Sequence, residues 1–208
     1  MAVATQPTLP TGQLTRAQVY AVHLRILGLR PTLAQAQFIM DTHRFRYMSG
    51  GEQGGKSLTL SACAVLKRYE DKERFGKGRY WLIGSDYGET ESEFNYIRDF
   101  LKKCLLYKDS TKRVDPGEIR ETDGTVWETK SGMDSRKLSK FSPNGIVLCE
   151  PGQMDVLTFQ KALFRVGANR GWVLGGGTLE GSLGWWPKLI PSYLWGTADT
   201  KSFIIPST

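Results

Sequence analysis

The chain has 208 residues, 40% hydrophobic and 24% charged, enough for one substantial core or one domain with a small appendage. Basic residues outnumber acids by seven and the pI is near 9.3, which suits a polyanionic partner as readily as it suits a merely basic soluble protein. No apolar run approaches the ~20 residues of a membrane span, the start lacks a basic-then-apolar leader, and the three scattered cysteines (Cys63, Cys104, Cys149) speak against a disulfide framework or zinc site and fit a reducing cytosol.

Residues 1–13 are rich in Pro, Thr, Gly and Gln and predict a flexible N-terminus ahead of one domain over 14–208. Thr15 is suited to cap a helix running to about Leu29, which Pro31 interrupts. A short helix over 33–42 and a strand over 45–49 follow, the strand running into a Gly-rich loop. Residues 56–72 predict a helix and 79–84 a strand. The densest basic stretch, 67–79, is broken by acids and reads as the solvated end of that helix. Over 89–106 the spacing of Phe94, Ile97, Phe100, Leu101 and Leu105 is helical with one buried face. Residues 118–129 predict a β-hairpin with a type I′ turn at Asp123-Gly124. A buried strand over 145–149, a helix over 155–166, a strand over 172–175 and a last strand over 202–206 complete the chain. Strands alternating with helices predict an α/β domain with a mainly parallel sheet flanked by helices.

The stretch GGEQGGKS, Gly50 to Ser57, matches the phosphate-loop pattern G-x-x-x-x-G-K-[ST] between a predicted strand and a predicted helix. In that setting Gly50, Gly51, Glu52, Gln53, Gly54 and Gly55 turn backbone N–H groups inward at a helix N-terminus. Lys56 would reach the β- and γ-phosphates of ATP, and Ser57 would place its hydroxyl on Mg²⁺. The rival reading is a Gly-rich turn that happens to precede a lysine. An ATPase also needs a carboxylate at the end of a neighbouring strand. Glu150, closing the run GIVLC, is the candidate base for the attacking water, against a plain turn glutamate. Many such enzymes place an aspartate one residue earlier, where this chain has Cys149, a poor ligand for a hard cation; Asp86 is a candidate to help hold magnesium instead. In GWVLGGGTLEG, Gly177 and Thr178 end a strand that would sense the γ-phosphate if it lies beside Glu150; the plain alternative is a flexible loop.

From about Leu29 onward these segments resemble the N-terminal ATPase domain of the large terminase subunit of tailed bacteriophages, the motor that packages DNA. The resemblance rests on the order of RPTLAQAQFI, GGEQGGKS, WLIGSDYGETESEF, WETKSGMDSRKLSKFSPNGIVLCE, GGT and FIIPST. It implies a P-loop NTPase fold of the RecA-like class and ATP hydrolysis with Mg²⁺, coupled to movement of double-stranded DNA into a prohead. It implies Gln35, or as alternative Gln37, as the adenine-recognising glutamine. Partners would be the DNA, the portal protein, the small terminase subunit and further copies of the chain in a ring, in the host cytoplasm and on the procapsid portal, with no membrane. The chain departs from the family at Cys149 and at Glu52, where many members carry an arginine. Arg136 is a candidate arginine finger acting on a neighbouring subunit. Members also carry a C-terminal nuclease; the chain stops at Thr208, just past the last predicted strand, so an isolated ATPase domain is expected. The rival functions are a nucleotide-dependent DNA-binding or scaffold module with weak hydrolysis and, without an arginine-rich lid to favour it, a small-molecule kinase.

Overall fold

A computed structural model of the chain describes residues 15–133, 138 and 140–206; the N-terminal stretch 1–13 and Arg136 lie outside the described residues. Helix α1 (Arg16–Leu27) begins at Thr15, whose side chain accepts from the Gln18 N–H while the Gln18 side chain accepts from the Thr15 N–H, and stops at left-handed Gly28. Helix α2 (Leu33–Met40) repeats this capping box with Thr32 and Gln35. There follow β1 (Phe45–Gly50), α3 (Lys56–Phe75), β2 (Arg79–Gly84), α4 (Glu91–Lys103), β3 (Tyr107–Ser110), β4 (Glu118–Glu121), β5 (Val126–Ser131) and β6 (Gly145–Cys149). Helix α5 (Val156–Gly167), β7 (Trp172–Gly177), α6 (Trp185–Ser192) and β8 (Thr200–Ile205) complete the order.

The eight strands form one sheet in the order β3-β4-β5-β2-β6-β7-β1-β8. From β5 to β8 every pairing is parallel; β4 runs antiparallel to both its neighbours. The expected mainly parallel α/β sheet is therefore present. Strands β6, β7 and β1 are adjacent and parallel, so their carboxyl ends, and the segments after them, open on one edge.

Both faces of the sheet are covered, which is why β6 reads as an unbroken apolar run. Val147 and Cys149 join the core on the α3–α4 side with Leu60, Phe94 and Ile97. Ile146 and Leu148 join the core on the α5–α6 side with Phe159 and Trp186. This alternation points the Cys149 side chain toward α4.

Three expectations are corrected. The 118–129 hairpin exists, but its turn is not type I′. Gly124 N–H donates to the Glu121 carbonyl at 3.0 Å, Glu121 N–H donates to the Thr125 carbonyl at 2.9 Å, and φ is positive at Gly124 but not at Asp123. A type I′ turn needs two positive φ values; this is a three-residue connection closed by a left-handed glycine. Helix α4 ends at Lys103, not 106, and Leu105 takes φ +58°. The stretch 67–79 is solvated only in part: Lys72, Glu73, Arg74, Gly76 and Lys77 are exposed, but Arg68 and Asp71 are buried. Arg68 is 1% exposed and pairs with Glu121 at 2.7 Å and with Asp123, because α3 stays packed on the sheet through this region. Strand β3 and helix α6, the latter containing Pro187 and Pro191, are additions to the predicted elements.

Asp71 in the same stretch is buried, and its Oδ2 accepts from both Trp172 Nε1 at 2.7 Å and the Tyr80 hydroxyl at 3.1 Å. Burial, against the pull of those two bonds, raises its pKa to about 6. An acid with a raised folded pKa holds its proton more tightly folded than unfolded. Stability therefore falls as pH rises from about 4 to about 6, and the loss persists above. Asp71→Asn keeps one oxygen to accept both bonds and removes the charge. At pH 8 it is expected to be more stable than wild type by about 1–3 kcal/mol, with the gap closing as pH falls to about 4; denaturant midpoints at the two pH values check this.

Candidate active site

The carboxyl end of β1 runs directly into the Gly-rich loop. Gln53 (φ +60°) and Gly55 (φ +70°) take left-handed conformations there. Gly55 is the N-cap of α3 and no side chain caps that helix, so its first-turn amides are offered to an anion. A Cβ at Gly55 would stand 2.7 Å from Gln35 Nε2, which with the positive φ requires glycine. Lys56 is 8% exposed and curls over the loop, its ammonium donating to the carbonyls of Gly50 at 3.2 Å and Gly51 at 2.8 Å. Ser57 is half-buried beside it; Glu52 and Gln53 are exposed at the rim, and Gly54 is buried.

Helix α2 is set against this loop by a buried cation. Arg46 on β1 donates to the carbonyls of Phe38 at 2.6 Å and Ile39 at 3.1 Å, in the last turn of α2 where a positive charge is favoured. The Gln35 side chain then reaches the loop: its Oε1 accepts from the Thr32 N–H at 2.9 Å and its Nε2 donates to the Gly54 carbonyl at 3.2 Å. It also borders a small recess with Leu29, Arg30, Pro31 and Leu58. Gln37 lies elsewhere, in a depression with Met40, Asp41 and Lys201.

Glu150 follows β6 in a left-handed conformation, φ +45°, ψ +56°. Its N–H still donates to the Gly176 carbonyl at 3.0 Å, so the strand pairing holds while the side chain swings out. Its Oε2 accepts from the Thr178 N–H at 2.9 Å and lies 3.4 Å from the Thr178 hydroxyl. A Cβ on Gly177 would stand 3.0 Å from that oxygen, so Gly177 leaves room for the carboxylate. The β6–β7 pairing thus brings Glu150, Gly177 and Thr178 together.

A cleft of about 620 Å³ joins the two halves, lined by Gly54, Gly55, Lys56 and Ser57 on one side and Glu150, Gln153 and Thr178 on the other. Glu89 and Tyr96, flanking the start of α4, close it. A second depression of about 460 Å³ lies beside the loop between Glu52, Thr178 and Ile205. Asp86 is exposed and is not among the residues lining the cleft; its Oδ1 accepts from the Glu89 N–H at 3.2 Å.

The residue that sequence reasoning missed is Glu93. It is 3% exposed on α4, and its carboxylate lies close to the Ser57 hydroxyl and the Cys149 thiol. Burial pushes the Glu93 pKa up, opposed by those two neighbouring donors. Burial, with the nearby Glu93 charge, also pushes the Cys149 thiol well above its ordinary value, so it stays a neutral donor. Glu93 is spaced i, i+4, i+7 with Ile97 and Phe100, so an acid on the buried stripe of an amphipathic helix was the available signal.

No family model and no curated protein sequence matches the chain. Among solved structures, the large terminase ATPase domain of Thermus phage P74-26 matches with a TM-score of 0.68 and 17% identity, over 87% of this chain and 83% of that one. The fold is that of a phage large-terminase ATPase domain. The large terminase of a thermophilic bacteriophage, in complex with ADP, matches at 0.61 and 14% identity, over 84% of this chain, and that of bacteriophage HK97 at 0.62 and 13%, over 85%. This chain spans 45% of the ADP-bound protein and 39% of the HK97 protein. Among the described residues no helix of this terminase-like domain is long and apolar enough to cross a membrane.

Proposed function

We propose that the chain binds ATP with magnesium in the cleft between the Gly-rich loop and the β6–β7 edge, and hydrolyses it as the motor domain of a viral large terminase. The observation that carries this reading is the convergence of Lys56, Ser57 and Glu150 on one cleft at the carboxyl edge of a terminase-like sheet. The loop amides and the Lys56 ammonium bind the phosphates. Glu150 accepts the proton of the attacking water, held in place by the Thr178 N–H, and Thr178 reports the loss of the γ-phosphate to β7. Arg136 is proposed to act on a neighbouring subunit's ATP.

Among the described residues no three His, Cys, Asp or Glu side chains cluster as a metal cage. Magnesium bound with phosphates needs only one or two protein oxygens, and the Ser57 hydroxyl with a nearby carboxylate supplies donors of the right hardness. When bound, the ion would neutralise charge on the terminal phosphates. The Cys149 thiol is unsuited to it.

The excess of seven positive charges suits double-stranded DNA as the translocated partner. Portal protein, small subunit and ring formation in the host cytoplasm belong to the same reading. Phosphate release from ATP, dependent on magnesium and accelerated by DNA, is expected. Tight ATP binding without phosphate release, even with DNA and portal present, would turn the assignment to a scaffold module, and transfer to an added acceptor would turn it to a kinase.

Gln35 is proposed to read the adenine. Gln35→Ala removes an amide that also ties α2 to the loop. Its preference for ATP over GTP is expected to fall ~10-fold or more, the scale of one or two lost hydrogen bonds in a partly buried site. Competition binding of the two nucleotides checks this; an unchanged ratio removes Gln35 from the role. Gln37→Ala is expected to leave it unchanged.

A further inference from the structure

The chain lacks an acid at position 149, yet a carboxylate stands at that place. The alternation of β6 points Cys149 to the α3–α4 side, where the buried Glu93 carboxylate lies close to its thiol and to the Ser57 hydroxyl. Ser61, one turn after Ser57 on the same face of α3, donates its hydroxyl to the Glu93 backbone carbonyl at 3.5 Å, so this turn of α4 lies against the Ser57 face. A serine hydroxyl has one proton and two lone pairs. With that proton turned to Glu93, only lone pairs would face the cleft, which is the orientation a hard cation requires.

We infer that Glu93 is the positioning residue for the magnesium ion of the proposed ATP site, delivering from α4 the carboxylate that β6 does not carry. The inference rests on the ATPase reading. It also accounts for Cys149. An aspartate there would bury a second carboxylate against Glu93, and two such charges at close range cannot both stay ionised. Cysteine is small, neutral and able to donate, so Glu93 and Cys149 form a pair in which only one member is an acid. Glu89 and Glu150 face the same region and supply its remaining negative charge.

The test uses the whole chain with ADP and Mn²⁺ as a spectroscopic stand-in for magnesium. Free Mn²⁺ is followed by electron paramagnetic resonance, and ADP binding in EDTA serves as the control for an intact site. Glu93→Gln keeps the shape and is expected to weaken Mn²⁺ binding to the ADP complex ~10–100-fold, as loss of an outer-sphere metal partner does. Its ADP affinity in EDTA is expected to stay within about twofold of wild type, which a general collapse of the helix packing would not allow. Glu93→Ala is expected to lose Mn²⁺ affinity likewise, and Cys149→Asp added to it to restore most of that loss. Wild-type Mn²⁺ affinity in Glu93→Gln, or no recovery in the double variant, overturns the inference while leaving nucleotide binding in place. A wild-type chain that binds no ADP overturns the proposed function and this inference with it.

Discussion

Lys56→Ala is expected to abolish ATP turnover and to leave the fold standing. The ammonium is one unit charge held close to where the β- and γ-phosphates are proposed to lie. At about 4 Å and an effective dielectric near 20, a pair of unit charges is worth about 4 kcal/mol. At 1.4 kcal/mol per decade that is roughly a thousandfold, shared between weaker nucleotide binding and a slower chemical step. The cost to stability is small for a structural reason: the partners of Lys56 Nζ are the carbonyls of its own loop, Gly50 and Gly51, which border open clefts and can turn to water. The α3 core begins one turn later, at Thr59 and Leu60. Phosphate release and circular dichroism on the same sample decide the matter. Hydrolysis at the wild-type rate would remove the Gly-rich loop from catalysis altogether.

The loop was legible because its constraint is local. Glycines, a lysine and a serine at fixed spacing are demanded by backbone geometry within eight residues, and the flanking apolar runs supply strand and helix. The adjacency of Glu150 and Thr178 was legible only as a condition, since β6 and β7 are separated by α5 and meet only in the sheet. The role of Glu93 was not legible. An acid in the first turn of a helix is the ordinary complement of the helix dipole, and its register with Ile97 and Phe100 hints at an inward face without saying what it meets there. Its role depends on three elements meeting: the N-terminus of α3, the start of α4 and the end of β6. Arg68 and Asp71 were misread for the same reason. Charges three residues apart look solvated until Glu121 on β4 and Trp172 on β7 arrive to partner them. Helix α6 was hidden by Pro187 and Pro191, which oppose helix formation in isolation, while burial of Trp186 and Ile190 holds it against the sheet.

Glu150→Gln is expected to separate binding from chemistry, which Lys56→Ala cannot do. Glutamine keeps the length of the side chain and an oxygen to accept from the Thr178 N–H, so the loop after β7 and the cleft wall remain as they are. What it loses is the capacity to take a proton from water. An activating base is typically worth ~10²–10⁴, so turnover should fall by that factor while ATP and ADP affinities change little. Single-turnover phosphate release with a parallel nucleotide titration measures both, and a wild-type rate would deny Glu150 its part. Glu150→Ala is a poorer test, because it also frees the Thr178 N–H and mixes positioning with chemistry. The backbone gives an independent prediction at the same site. A non-glycine residue at φ +45° carries left-handed strain of about 1 kcal/mol, so Glu150→Gly is expected to be at least as stable as wild type and inactive. Stability gained where activity is lost would mean that the strain is kept because the side chain it carries has to reach the cleft.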